Sequence, residues 1–239
     1  MKQYPRIPHL PGSQGTEDDR DAGRAFAARC TEAAGAEDRV LITEKLDGTC
    51  VAIARLDGEL VALGREGRRC EASRNRGRRA FAAWVAAQPA RWAPLRDGER
   101  VILEWLALTH GVRYQLPHEP AVVLDLFDAR GRRPLDEARR AAARLGLPSA
   151  AQLSDGPARP IAEALAALGP RGRHGATDLP EGLVYRVERR RDGAVLGQAK
   201  YVRPGLERGR YLEDRTGLGP VWNDWSGPWT LADALRVAR

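Results

Sequence analysis

The pattern of apolar and polar positions divides the chain into short strand-like runs separated by Gly- and Pro-marked breaks, with a few helical stretches between them. An apolar run over 40–43 delivers Glu44 and Lys45 to its end, and Asp47-Gly48 is a turn signal before a second β-rich run. That second run, over 49–56, turns at Asp57-Gly58 and returns over 59–65. Residues 80–90 carry Phe81, Trp84, Val85 and Gln88 at i, i+3, i+4, i+7 spacing, which predicts a helix with its aromatics in the core. Strands are expected over 100–108 and 121–128, and alanine-rich helices over 134–146 and 158–168. A Gly/Pro loop over 171–180 precedes a hairpin of 181–188 and 194–202, turning near Asp192-Gly193. Residues 1–15 read as an extended, proline-punctuated lead-in, and 17–34 as a helix with acids early and bases late. Thr230-x-x-Asp233 opens a last short helix in a tryptophan-rich tail from about 203. Antiparallel strands with interspersed helices make the expected class α+β, in one domain over 1–239.

Composition adds chemistry to this outline. The net charge of +7 and pI near 9.8 favour a polyanionic partner such as nucleic acid or a nucleotide. Cys30, Cys50 and Cys70 are odd in number and lack C-x-x-C spacing, and the four histidines show no metal-ligand spacing. The proline-broken N-terminus has no apolar core of a signal peptide, and no run approaches the ~20 residues of a membrane span. The expected location is cytoplasmic.

The charge usage singles out one residue type. The chain has three lysines (Lys2, Lys45, Lys200) against 36 arginines. An arginine guanidinium stays protonated, whereas a lysine amine can lose its proton and act as a nucleophile. Lys45, at a strand end beside a tight turn, is placed for that role; the alternative is a solvated lysine beside a hairpin turn. The arginine-rich stretch over 65–79 is either a solvated basic loop or a contact for phosphates. Trp222, Trp225 and Trp229 either stack on bases or dock the tail onto the domain.

Five stretches occur in order: EKLDG at 44–48, ILEWL at 102–106, DLFD at 125–128, EGLVYR at 181–186 and QAKYVR at 198–203. Together they resemble motifs I, III, IIIa, IV and V of the covalent nucleotidyltransferases, the superfamily of ATP-dependent RNA and DNA ligases and mRNA-capping enzymes. YPRIPHLPGS, EWLALTHGVRYQL and AKYVRPG are most similar to the RNA-ligase branch. The resemblance covers about residues 1–210. It implies an ATP-grasp-like nucleotidyltransferase (ligase adenylylation) domain with antiparallel sheets and flanking helices. It implies ATP and Mg²⁺ or Mn²⁺ as cofactors, and RNA with 5′-phosphate and 3′-hydroxyl ends as partner. Only 39 residues follow Lys200, too few for the OB-fold domain that DNA ligases and capping enzymes carry there. Those enzymes, and a non-catalytic nucleic-acid-binding protein of this fold, are the alternatives.

Residue by residue, the resemblance makes Lys45 the nucleophile on the α-phosphate, with its pKa lowered by a metal and by Lys200. Glu44 lies near the base, Leu46 belongs to the same nucleotide-binding motif, Arg65 contacts the nucleotide, and Glu104 takes the ribose hydroxyls. Leu103 stands where the family usually has glycine. Phe127 stacks on the purine or belongs to the core, and Glu181 is the metal carboxylate. Lys200 neutralises phosphate charge, but motif V often has two lysines and Gln198 takes the place of one; Arg203 or Arg186 is the expected substitute. His110 and Tyr114 are given structural or RNA-facing roles. Arg74, Arg76, Arg78 and Arg79 are the expected RNA contacts.

Overall fold

The computed structural model describes residues 3–237. Helix α1 (Arg24–Thr31) precedes strands β1 (Asp38–Lys45), β2 (Thr49–Leu56) and β3 (Glu59–Gly64). Helix α2 (Arg76–Ala86) leads to β4 (Arg100–Trp105), β5 (Gln115–Leu116), β6 (Ala121–Asp128) and β7 (Gly131–Arg132). There follow α3 (Leu135–Arg144), β8 (Gln152–Gly156), α4 (Ile161–Leu168), β9 (Gly182–Arg189) and β10 (Val195–Val202). The chain closes with α5 (Glu213–Thr216), β11 (Asp224–Trp225) and α6 (Leu231–Val237). Among the described residues two antiparallel sheets carry this α+β fold, in the orders β3-β2-β4-β6-β7 and β10-β9-β1-β8, beside a small parallel β5–β11 pair.

The two-residue period of the strands decides which side chains reach the space between the sheets. In the five-stranded sheet, Val51, Ile53, Val101, Leu103, Trp105 and Val123 face a core with Phe81, Trp84 and Val85 of α2 and the alanines of α3. Ala52, Ala54, Val61, Leu63 and Ile102 take the opposite face, joined by Tyr4 of the lead-in. In the other sheet, Val40, Ile42, Leu183, Tyr185, Val187 and Ala199 pack against Ala27, Cys30, Ala164 and Leu168 of α1 and α4. The alternate positions Lys45, Val184, Arg186, Gln198 and Lys200 therefore line a cavity between the sheets. Fully burying each large apolar side chain contributes roughly 1.5–3 kcal/mol, so these two helix-covered faces hold the cavity walls in place.

At one end the sheets are tied by charge. Arg186, on β9, donates to Asp125 Oδ1 on β6 (2.9 Å) and to Glu188 Oε1 (2.6 Å), and its second Nη reaches the Arg133 carbonyl. Glu188 Oε1 also accepts from the Leu135 amide at the start of α3 (2.7 Å), and Tyr4 Oη donates to Asp125 Oδ2 (3.2 Å).

The tail docks. Trp229 is buried, stacks on Trp225 at 5.7 Å between centroids and leans on Trp105 at 5.6 Å. Thr230 and Asp233 exchange the hydrogen bonds of a capping box at the start of α6. Residues 17–23 depart from the helix expected over 17–34. They return along the lead-in, where His9 N donates to Arg20 O and Ala22 N to His9 O, and Gly23 turns the chain into α1. The strand expected over 100–108 stops at Trp105, where the Leu106 amide turns to Pro120 O. Strand β8 was not foreseen. Its sequence, QLSDG, has no apolar alternation because it is an edge strand beside β1. The three cysteines are free thiols. No helix among the described residues is long and apolar enough to cross a membrane.

Candidate active site

The turn after β1 is shaped by its own sequence. Asp47 Oδ2 accepts from the Gly111 and Val112 amides (2.6 and 3.0 Å), and the Asp47 amide donates to Tyr114 Oη (3.0 Å). Gly48 lies so close to β4 that a Cβ there would sit 2.5 Å from the Trp105 carbonyl oxygen. Its amide donates to Glu104 Oε1 (3.0 Å). Tyr114 and Asp47 thus serve the loop, while Lys45, Leu46 and Glu104 are left facing a cavity of about 460 Å³.

Lys45 Nζ donates to Glu181 Oε2 at 2.6 Å, with the lysine one-fifth exposed. Burial lowers its pKa, but Glu181, Glu104 and Asp47 outweigh burial and hold it above the ordinary lysine value. In the ligand-free site these carboxylates therefore hold the amine as an ammonium, and the lowering expected from a metal and Lys200 is not a property of that site. Burial pushes the Glu104 carboxyl up to about 8 against the pull of Lys45. Lys200 does lie in the lowered direction, through burial first and then the charge of Lys45. Its ammonium stands 3.3 Å from Asp19 Oδ1.

Glu44 is 1% exposed, and its Oε2 accepts from the Arg173 amide (2.7 Å). The loop can lie on it because Gly172 sits at φ +58°, where a Cβ would fall 2.1 Å from Glu44 Oε1. That Oε1 is buried without a hydrogen-bond partner, and burial pushes the carboxyl up to about 7. Arg65 lines the cavity, its Nε 3.3 Å from the Tyr4 carbonyl.

The structure thus brings Glu44, Lys45, Leu46, Arg65, Glu104 and Lys200 to one cavity, with Glu181 attached through Lys45. Phe127 is not among the lining residues. Its ring is held between Arg100 and Arg132, 4.8 and 5.2 Å from the two guanidinium carbons, and meets Tyr4 edge-on. The four arginines also separate. Arg78 lines the cavity beside Asn75 and pairs with Glu66 (3.2 Å); Arg79 donates to the Ser73 and Arg74 carbonyls; Arg74 and Arg76 are exposed. Three of the four lie on or beside the first turns of α2 and not in a loop, because Asn75 caps that helix by accepting from the Arg78 amide. His110 lines the cavity near Thr49 Oγ1 (3.3 Å). Asp19 was missed. Thr16-Glu17-Asp18-Asp19 reads as a helix start, yet here Asp19 Oδ2 accepts from Thr16 N and Oγ1 in a turn.

A strand-end lysine on a carboxylate, a second lysine on the same sheet and a part-buried glutamate on the other sheet agree with one comparison above all. The model of the RNA ligase family matches residues 38–202. The chain belongs to the RNA ligase family. Among solved structures it is similar to the Naegleria gruberi RNA ligase, in a variant with AMP and Mn, at 15% identity and a TM-score of 0.51. That match covers 84% of this chain and 58% of the other. An archaeal ATP-dependent RNA ligase matches at 20% identity and a TM-score of 0.48, over 84% of this chain and 48% of that one. The chain thus spans about half the length of the archaeal enzyme. Curated protein sequences give no match. The likeness to the Naegleria structure is one of fold. The family assignment rests on the sequence match, which includes β1 with Lys45, β4 with Glu104 and β10 with Lys200.

For a divalent ion, no group of three or more His, Cys, Asp or Glu among the described residues is disposed to form a cage. The donor set is instead one buried carboxylate, Glu181, beside a cavity with room for phosphate oxygens. That suits Mg²⁺ or Mn²⁺, which are commonly held by one or two carboxylates together with substrate phosphates.

Proposed function

We propose that this RNA-ligase-family chain is an ATP-dependent RNA ligase that works through a lysyl-AMP intermediate on Lys45. The observation that carries the reading is the convergence of Lys45, Glu104 and Lys200, far apart in sequence, on one cavity between two sheets. Lys45 must first give up a proton, and Glu181 at 2.6 Å is the acceptor within reach. The neutral amine attacks the α-phosphorus of ATP. The N–P bond forms as the P–O bond to the β-phosphate breaks, and the electron pair leaves with pyrophosphate. A second proton passes from nitrogen to solvent water as the phosphoramidate forms.

The AMP then passes to an RNA 5′-phosphate, and a 3′-hydroxyl oxygen displaces it to seal the strand. In both transfers Lys200 and Arg65 supply positive charge for phosphate oxygens, in a cavity where such charge counts for more than in water. Glu104 and Glu44 provide acceptors for the ribose and the base. Glu181, once Lys45 is modified, is the residue that would hold Mg²⁺ or Mn²⁺. That ion would polarise phosphate oxygens when bound.

The deciding experiment incubates the protein with each α-labelled nucleoside triphosphate and Mg²⁺ or Mn²⁺, followed by a denaturing gel. Sealing of an RNA carrying 5′-phosphate and 3′-hydroxyl ends is then assayed. The expected result is an acid-labile, alkali-stable label from ATP and joined RNA. Labelling by GTP alone would point to capping chemistry, and no label with tight RNA binding to a non-catalytic protein.

A further inference from the structure

Among the polar side chains that β10 turns toward the cavity, Lys200 is charged and Gln198 is not. Gln198 is 9% exposed, and its Oε1 has no hydrogen-bond partner. The cations expected to make up the deficit are not placed to do so. Arg186 is committed to Asp125, Glu188 and the Arg133 carbonyl. Neither Arg203 nor Arg208 is itself a lining residue, but Arg203 reaches back to the Gly169 carbonyl at 3.5 Å, whereas Arg208 is held by Asp19, which does line the cavity.

Another cation stands beside Lys200. Asp19 receives Lys200 Nζ on Oδ1 and Arg208 Nη1 on Oδ2, each at 3.3 Å. The Thr16 amide and hydroxyl fix that carboxylate at 3.0 and 3.1 Å. Arg208 is braced further by the Gln14 carbonyl, while its Nε is buried without a hydrogen-bond partner. Its charge acts on both Glu181, the partner of Lys45, and Lys200. His9 touches the same Asp19 from a third side, at 3.3 Å. With the imidazole neutral, two cations share one anion and a net positive charge remains. An ammonium has three donors and a guanidinium five, so both can bind phosphate oxygens while still holding Asp19.

We propose that Arg208 is the second phosphate-binding cation of this site, held beside Lys200 by Asp19 in place of the charge that Gln198 lacks. Asp19 is then a positioning residue, supplied by the turn that follows the lead-in, which itself pairs with the edge of β10 at His9 and Lys200. The inference rests on the nucleotidyl-transfer reading above.

The test measures label transfer to Lys45 against ATP concentration in wild type, R208A, R208K, D19N, Q198K and the R208A/Q198K pair, with a thermal melt of each. Loss of a charge-assisted contact should lower the labelling efficiency of R208A roughly 10- to 100-fold. R208K should keep most of the wild-type rate. Q198K should recover most of the loss in the R208A background and add little alone. D19N should fall between, through KM more than through the maximal rate. Wild-type labelling by R208A, or a folded R208A/Q198K no better than R208A, overturns the proposal. If R208A does not melt cooperatively, R208K and Q198K decide: a severe loss in R208K, or a large gain in Q198K alone, overturns it. A wild type that takes no label from any nucleotide overturns the nucleotidyl-transfer reading itself and this inference with it. A labelled wild type beside an unaffected R208A overturns this inference alone.

Discussion

The cavity's lysines and the arginine at its closed end hold opposite kinds of ion pair. Lys45 meets Glu181, and Lys200 meets Asp19, each through one contact with a side chain about one-fifth exposed. Arg186 meets Asp125 and Glu188 together, all three within 3% of full burial, and ties β6, β9 and the start of α3. A single contact to a compact ammonium can be exchanged for a phosphate. A guanidinium held by two carboxylates and a carbonyl cannot be exchanged without stranding buried charge. In this pair of regions the two lysines stand where charge can be handed to a ligand, and Arg186 where it stays.

The largest effect should come from Lys45→Arg. The charge and the contact with Glu181 can persist, but a guanidinium is no nucleophile, so covalent labelling by ATP should vanish with the melting temperature nearly unchanged. A labelled mutant would remove Lys45 from the reaction.

Stability should divide the two regions in the opposite sense. Arg186→Ala leaves the buried Asp125 with Arg132 (3.0 Å) and the buried Glu188 with Arg39 (3.9 Å) as remaining ion-pair partners, and should cost up to about 3–5 kcal/mol in denaturant unfolding. Lys200→Ala should cost under about 1 kcal/mol, with a severe loss of labelling. Equal destabilisation by both would erase the distinction.

Glu44 sharpens the comparison through pH. Its carboxyl is raised from an ordinary 4.5 to about 7 in the folded protein. The folded state therefore holds the proton more tightly than the unfolded chain between those values. The stability linked to this group is full below pH 4.5 and is lost as pH rises through 7, by roughly 3 kcal/mol at most. Glu44→Gln should flatten the fall of unfolding free energy across that window. An unchanged slope would mean that Glu44 is ionised throughout.

The smallest effect concerns Arg74 and Arg76, which are exposed and outside the cavity. Replacing both with alanine should weaken RNA sealing and lessen its salt sensitivity while sparing labelling of Lys45. Arg78→Ala, in the cavity wall, should depress labelling as well. Parallel loss of both steps in the Arg74/Arg76 double variant would assign the whole cluster to the nucleotide pocket.

Much of this was legible locally. The β2–β3 turn at Asp57-Gly58 and the strand over 121–128 were read from short-range pattern and lie where expected, as does the capping box at Thr230. Edge strand β8 carries no alternation, and the turn at Thr16–Asp19 uses the same residues that start a helix; neither was recoverable from pattern.

The sequence by itself determined the strand-end lysine, the ordered motifs and the scarcity of lysine, because these reside in residue identity and short spacing. Only the tertiary structure decided who faces whom. Lys45 has Glu104 and Glu181 as neighbours, drawn from distant parts of the chain, and they hold its amine charged in the ligand-free site. Phe127 lies between two arginines instead of in the cavity wall. Asp19 and Arg208, far apart in the chain, meet at Lys200 because the lead-in runs along the edge of β10 and residues 17–23 return along it. Charge acts through space, and a pKa or an ion pair is set by neighbours that chain order does not reveal.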